Sequence, residues 1–272
     1  MSTPSDSPSS LSDITAELGV AAARGVNYNR VGELLLRPDE ALFRRLACGS
    51  LLAEVEQVRC ALLDGTCTGE ADAALEALKC ETERVAAAGL PTLEEEYDTT
   101  FGHAAAVDHP PHEMHYTAGN LFQQTHDLSD VNGFYRAFGV DVPTASHERP
   151  DHVGIEMEFL GLLCVKEANA IREGLTVQRS TTQAAQRRFL AEHLGGFVPA
   201  LHRQIEERGR SSFYCAVLRF ASALVDEDCI RLGIPLEERR RHHFVAPPPP
   251  EPEGGSCFGC SVGELGNEGG DS

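Results

Sequence analysis

The sequence predicts an all-α, single-domain helical bundle with a disordered tail at each end. Three observations predict it. Apolar residues recur at three- and four-residue spacing from Ile14 to Leu232, the signature of helices with one buried face. Period-2 runs of β-branched residues are few, so a sheet is not supported. Both ends are poor in residues that bury a core. The expected organisation is an arm at 1–10, a helical domain at 11–245 and a Pro/Gly-rich tail at 246–272. Pro247 to Pro250 open that tail as a stiff polyproline spacer.

The elements follow in order. Ile14, Leu18, Ala21 and Ala22 begin a stripe that continues through Tyr28, Val31, Leu34 and Leu35, and Pro38 ends it. Asp39 is placed to cap the next helix, where Leu42, Phe43 and Leu46 share a face. Helices are expected over about 50–63 and 69–88, punctuated by Gly65 and Gly89. Leu93 to Phe101 forms another, followed by a turn-rich stretch from Gly102 to Pro111. Met114 to Gln124 and Leu128 to Phe138 read as two short helices, and Pro143 to Pro150 as a loop. Asp151 to Arg172 is a strongly amphipathic helix. Thr181 to Leu194, Phe197 to Glu207 and Ser211 to Leu232 complete the set.

Composition narrows the function. Forty-two Asp and Glu against 23 Lys and Arg give a net charge of −19, the wrong sign for a phosphate-backbone binder. Five of those acidic residues (Glu251, Glu253, Glu264, Glu268 and Asp271) lie after Pro250, where no Lys or Arg occurs. No 18-residue apolar run predicts stable membrane insertion. The first residues lack a charged segment followed by an apolar one, so no secretory signal is read. Nine cysteines, an odd number, do not make a disulfide framework and point to a reducing, cytoplasmic location. No Gly-x-Ser-x-Gly, P-loop or dinucleotide fingerprint is present, so no enzyme activity and no cofactor are expected.

The most informative segment runs from His147 through Glu148-Arg149-Pro150-Asp151-His152 to Leu160. Pro150 fixes the chain before a helix, and Asp151 stands where its carboxylate can cap free N–H groups. His152 and Glu156, four apart, share a helical face. Three readings stand: a capped helix with a surface His–Glu pair, an incomplete metal pair, or a polar recognition patch.

The run Glu-x-Pro-Asp-His-x-x-x-Glu-x-Glu-Phe-Leu resembles the signature of the TorD/DmsD family of redox-enzyme maturation chaperones, which includes the NarJ-type proteins. Other segments fall in that family's order. Ala22-Ala23-Arg24 through Tyr28, Leu34-Leu35 and Pro38 resembles its first helix. Glu96-Tyr97-x-x-x-Phe101-Gly102 resembles its Glu-Tyr-x-x-Leu-Phe-x-Gly element, with Thr100 at a usually apolar position. Pro110-Pro111-x-Glu113-x-x-Tyr116 resembles a Pro-Pro-x-Glu-x-x-Tyr element. Tyr135 to Val140 resembles the end of the following helix. His193-Leu194, Phe197-x-Pro199 and Phe213-Tyr214 resemble the closing helices. The resemblance covers about 20–230.

It implies a TorD-like, all-helical cytosolic chaperone without turnover. Such a protein binds the twin-arginine signal peptide and the apo form of a molybdopterin oxidoreductase, assists molybdenum cofactor insertion and holds back export until assembly is complete. Its state is a monomer or a helix-swapped dimer. Asp151 and His152 match positions implicated in peptide recognition, with Glu156 one turn on. Tyr97, Phe101, Glu113 and Tyr116 match the family's other recurrent surface. The chemistry agrees: a cationic segment followed by an apolar helix-prone one needs carboxylates beside an apolar groove. Guanidinium pairs bidentately with carboxylate, which suits Asp151, Glu156 and Glu113. His152 titrating near neutral pH is a candidate release switch.

Two other clusters invite a helical metal-binding protein or enzyme as the alternative. His103, His109, His112 and His115, with Asp108 among them, fall within thirteen residues but match no helical zinc spacing and read as a polar loop. In the tail, Cys257-Phe258-Gly259-Cys260 is half a zinc site, which His242 and His243 or a second chain would complete. Arg239-Arg240-Arg241 reads as a helix C-terminus set against its own dipole.

Overall fold

The computed structural model describes residues 11–59, 69–102, 109–117, 121–140, 148–209 and 211–244. Among them ten α-helices follow one another: α1 (Leu11–Leu35), α2 (Glu40–Ala47), α3 (Ser50–Arg59), α4 (Gly69–Ala88), α5 (Leu90–Phe101), α6 (Leu121–Ala137), α7 (Val153–Arg172), α8 (Thr176–Phe189), α9 (Gly195–Arg208) and α10 (Ser212–Arg231). No strand ladder occurs among the described residues; a single isolated bridge joins His112 and His152. The arm 1–10, the tail from 245 onward, His103, Asp108, Cys257 and Cys260 lie outside the described residues.

Side chains from all ten helices meet in one apolar core. Leu34 and Leu35 of α1, Leu78 of α4, Leu160 and Leu163 of α7, and Phe213, Val217 and Phe220 of α10 are fully or almost fully buried in it. The predicted Asp39 cap is present, with the Leu42 N–H donating to its Oδ1 at 2.8 Å.

The centre is an antiparallel pair, α1 against α7. Gly25 and Gly32 on α1 face Gly161 and Gly154 on α7, each pair two helical turns apart. A Cβ on Gly32 would stand 2.9 Å from the Gly154 carbonyl oxygen and 2.8 Å from Glu158 Cγ; one on Gly161 would stand 2.5 Å from Asn29 Oδ1. The helices thus approach at a distance only hydrogen side chains permit. A backbone carbonyl cannot step aside as a rotamer can, so Gly32→Ala is expected to cost about 1–3 kcal/mol. Urea unfolding checks this, and a midpoint equal to wild type refutes it.

Three sequence-derived boundaries are corrected. Met114 begins no helix. Glu113–His115 is a single 3-10 turn, and α6 is one helix starting at Leu121 rather than two short ones. The α7 helix begins at Val153, not Asp151, because the His152 side chain supplies the cap. Gly195-Gly196 does not separate two helices: α8 passes through a π-helical turn, Leu190–Leu194, directly into α9. Those glycines serve the chain's return. A Cβ on Gly196 would lie 2.0 Å from the Arg240 carbonyl oxygen, so the strap formed by residues 236–244 lies flat on α9 only because Gly196 has no side chain. The Arg240 N–H donates to the Ala191 carbonyl inside the π turn at 2.7 Å.

Candidate functional site

Two sequence motifs that are far apart in the chain meet here. The Pro110-Pro111-x-Glu113 loop pairs with the Arg149–Val153 turn: the Glu113 N–H donates to the Asp151 carbonyl (2.9 Å) and the Val153 N–H to the Pro111 carbonyl (2.8 Å). The His112 and His152 rings stack edge to face across this pairing, 5.3 Å apart. Proline favours the extended backbone such pairing needs, which is how a Pro-Pro loop comes to lie along another segment.

Asp151 does not cap its own helix. Its Oδ2 accepts from the Met114 N–H at 3.3 Å, so it caps the Glu113–His115 turn instead. Arg149 takes the same carboxylate with two bonds, Nε to Oδ1 at 2.9 Å and Nη2 to Oδ2 at 2.8 Å. Asp151 is fully buried and Arg149 is 46% exposed, so the cation closes the site from the solvent side. Burial raises the Asp151 carboxyl above its ordinary value, and Arg149 opposes that rise.

His152 is the α7 cap. Its Nδ1 accepts from the Gly154 N–H at 3.1 Å, and its Nε2 faces Glu148 at 3.8 Å. A capping Nδ1 carries no proton, and burial lowers the imidazole from 6.5 to about 4. The expected neutral-pH release switch is therefore corrected for this folded form. The linkage has a definite sign. The folded state holds His152 neutral, while the unfolded state takes up a proton below 6.5, so its stabilisation is complete above pH 6.5 and lost as pH falls toward 4. Asn at this position keeps a capping acceptor but does not titrate. Between pH 7 and pH 5 the wild type is expected to lose about 2 kcal/mol more stability than His152→Asn. Equal acid sensitivity of the two proteins in denaturant titrations refutes this.

Glu113 is the hub of the deeper layer. Fully buried, it meets His193 Nδ1 from the π turn at 2.9 Å and His242 Nε2 from the strap at 2.6 Å. Burial acts to raise its carboxyl, but the His193 charge and the two histidine hydrogen bonds prevail and hold it well below the usual range. His193 also faces Asp130 of α6, Nε2 to Oδ2 at 3.5 Å. Burial opposes its protonation, yet Glu113 and Asp130 together raise it to about 9. Glu156, one turn into α7, lies fully buried in the field of Glu113 and Asp151. Burial first, and those two charges second, favour its neutral acid form.

Tyr116 packs under the strap, its ring 5.2 Å from Phe197 and 5.8 Å from Phe244, while its carbonyl accepts from the His243 N–H at 2.8 Å. Tyr97 and Phe101 form a separate aromatic trio with Tyr214, centroids 5.2–5.7 Å apart. Burial first, and the charge of Glu148 second, raise the Tyr97 hydroxyl above its ordinary value.

The arrangement brings Asp151, His152, Glu156, Glu113 and Tyr116 together, with Tyr97 and Phe101 to one side. It corrects the surface readings: all seven are buried, and His152–Glu156 is not a surface pair. His242 is committed to Glu113 rather than free to complete a tail zinc site, while His243 is exposed. Arg239 and Arg240 end no α-helix: Arg239 follows a single 3-10 turn, Leu236–Glu238. They belong to the strap and pair with Asp226 and with Asp127. Reasoning from sequence missed Arg149, Asp130 and the hub role of His193. The hints were that Arg149 and His193 both fall inside family-like motifs.

No helix among the described residues is long and apolar enough to cross a membrane. A family model described as nitrate reductase delta subunit matches residues 66–203. The chain is 31% identical over 99 residues to the perchlorate reductase assembly chaperone protein of Dechloromonas aromatica, covering 36% of this chain and 43% of that one. It is 32% identical over 106 residues to the selenate reductase assembly chaperone protein of Thauera selenatis, covering 39% and 53%. Against the chaperone protein TorD of Vibrio cholerae it is 32% identical over 92 residues, covering 34% and 40%. The chain spans about half or less of the length of these relatives. The family match takes in half of the sequence, the Pro-Pro-x-Glu loop, the Asp151-His152 turn and the His193 π turn included, and the chain belongs to the nitrate reductase delta subunit family, the NarJ/TorD-like proteins.

Proposed function

We propose that this protein is a cytoplasmic assembly chaperone for a molybdopterin oxidoreductase. It binds the twin-arginine signal peptide and the apo form of that client, assists cofactor insertion and delays export until assembly is complete. The names of the relatives support the assembly role. One observation supports the peptide reading most directly: a fully buried carboxylate, Asp151, is closed off by the half-exposed fork of Arg149. A client guanidinium offers the same bidentate geometry, so it takes Arg149's place on Asp151. Arg149 thereby acts as an internal placeholder that satisfies the buried charge between clients. The acidic chain draws the peptide in with a salt-dependent attraction.

Calorimetric titration with a peptide carrying adjacent arginines and an apolar segment tests this. Asp151→Asn, which keeps a capping oxygen but no charge, is expected to weaken binding at least about tenfold, or roughly 1.4 kcal/mol. Arg149→Gln is expected to tighten binding, because the internal competitor is gone. Wild-type affinity in Asp151→Asn with unchanged helicity, or equal binding of a lysine-substituted peptide, overturns the reading.

A further inference from the structure

His193 has a second face that the peptide reading does not use. Its Nδ1 is held by Glu113, while its Nε2 is buried and makes no hydrogen bond, standing 3.5 Å from Asp130 Oδ2. Glu192, the preceding residue in the π turn, brings a second carboxylate to the same place. One ligand atom from each of Asp130, Glu192 and His193 lies within 4.8 Å of the others. An undistorted α-helix turns successive side chains about 100° apart, whereas the π turn opens this stretch and lets 192 and 193 converge on α6. The histidine is 1% exposed and both carboxylates are part-exposed, so an ion has a route in from solvent.

We infer that Asp130, Glu192 and His193 form a binding site for a divalent transition-metal cation. One imidazole nitrogen and two carboxylate oxygens suit ions of the manganese-to-zinc series, with water completing the shell. The second-shell requirement is already met: Glu113 accepts from the far nitrogen of the histidine, the carboxylate–histidine–metal arrangement that fixes ring orientation and strengthens the ligand. The cation enters between Nε2 and Asp130 and displaces the Nε2 proton to solvent, so each ion bound releases one proton. Arg188 now neutralises the two acids, reaching Glu192 at 2.9 Å and Asp130 at 3.6 Å. It is 58% exposed and rests on the Phe134 ring, so it can swing into solvent when a cation arrives. A metal here ties α6 to the π turn and, through Glu113, to the strap.

Co2+ is the probe, because thiolate ligation has a near-ultraviolet signature that separates this site from the cysteines. The full chain carrying Cys257→Ser and Cys260→Ser is titrated by calorimetry and absorption. The expected result is one Co2+ equivalent without thiolate bands, weakened at least tenfold by Asp130→Asn and by Glu192→Gln. Both substitutions are at part-exposed positions and leave the core intact. Arg188→Met is expected to tighten Co2+ severalfold, because it removes the competing cation; if the acids serve Arg188 alone, this variant gains nothing. Absence of a non-thiolate equivalent in both the parent and Arg188→Met overturns the inference, as does binding indifferent to Asp130→Asn and Glu192→Gln.

Discussion

Arg24→Met is expected to destabilise the fold by about 3–5 kcal/mol, the cost of stranding buried carboxylates without their cation. Arg24 sits in the middle of α1 and is 3% exposed. Its Nε reaches both oxygens of Asp228 on α10 at 2.8 Å, Nη1 reaches Glu167 on α7 at 3.2 Å, and Nη2 donates to Gln186 on α8 at 2.6 Å. Gln186 and Gln183 in turn donate to Glu167 at 2.8 and 2.7 Å. One guanidinium therefore joins four helices and balances two buried acids. Burial opposes its charge, but Asp228 and Glu167 hold it firmly cationic. Methionine fills comparable space along the stem, so the loss is electrostatic rather than a cavity. Denaturant unfolding gives the magnitude, and a loss below about 1 kcal/mol would sink the argument. Adding Asp228→Asn and Glu167→Gln is expected to restore much of the stability, because a neutral network has little uncompensated charge to bury.

Arg24 also shows which features a linear reading recovers. Its place on a helix was legible, since Ala21, Tyr28, Val31 and Leu35 mark the buried face by spacing alone. Its partners were not, because they stand 143 to 204 residues away and periodicity carries no long-range pairing. The same holds at the candidate site. Asp151, His152 and Glu156 were legible as a group from one motif. Their burial was not, because polar residue types in a turn normally face water. Only the pairing of the Pro110-Pro111 loop with the 149–153 turn encloses them. Gly195-Gly196 was misread for a related reason: two glycines look like a helix stop until the strap that lies on them is seen.

Glu113→Gln is expected to cost about 3 kcal/mol, since it removes the principal counter-charge of the buried His193. Asp130 remains, but at 3.5 Å and 35% exposed it compensates less. The effect reaches beyond stability. Glu113 is bound by both the π turn and the strap, so weakening it releases His242 from the interior. The strap then keeps its backbone contacts, Arg240 N–H to Ala191 and His243 N–H to Tyr116, and its arginine ion pairs, but loses the buried His242 anchor. Amide hydrogen exchange is expected to rise at Arg240 and His243 in Glu113→Gln while the α1 and α7 amides stay protected, a local opening rather than global unfolding. Unchanged strap protection would show that the backbone bonds, Gly196 and the ion pairs of Arg239 and Arg240 hold the strap without Glu113. Increased exchange confined to the strap ties the Pro-Pro-x-Glu motif to the strap's position. Tyr116 and Glu113 then become accessible when the strap lifts, which gives a route by which fully buried motif residues can meet the proposed peptide.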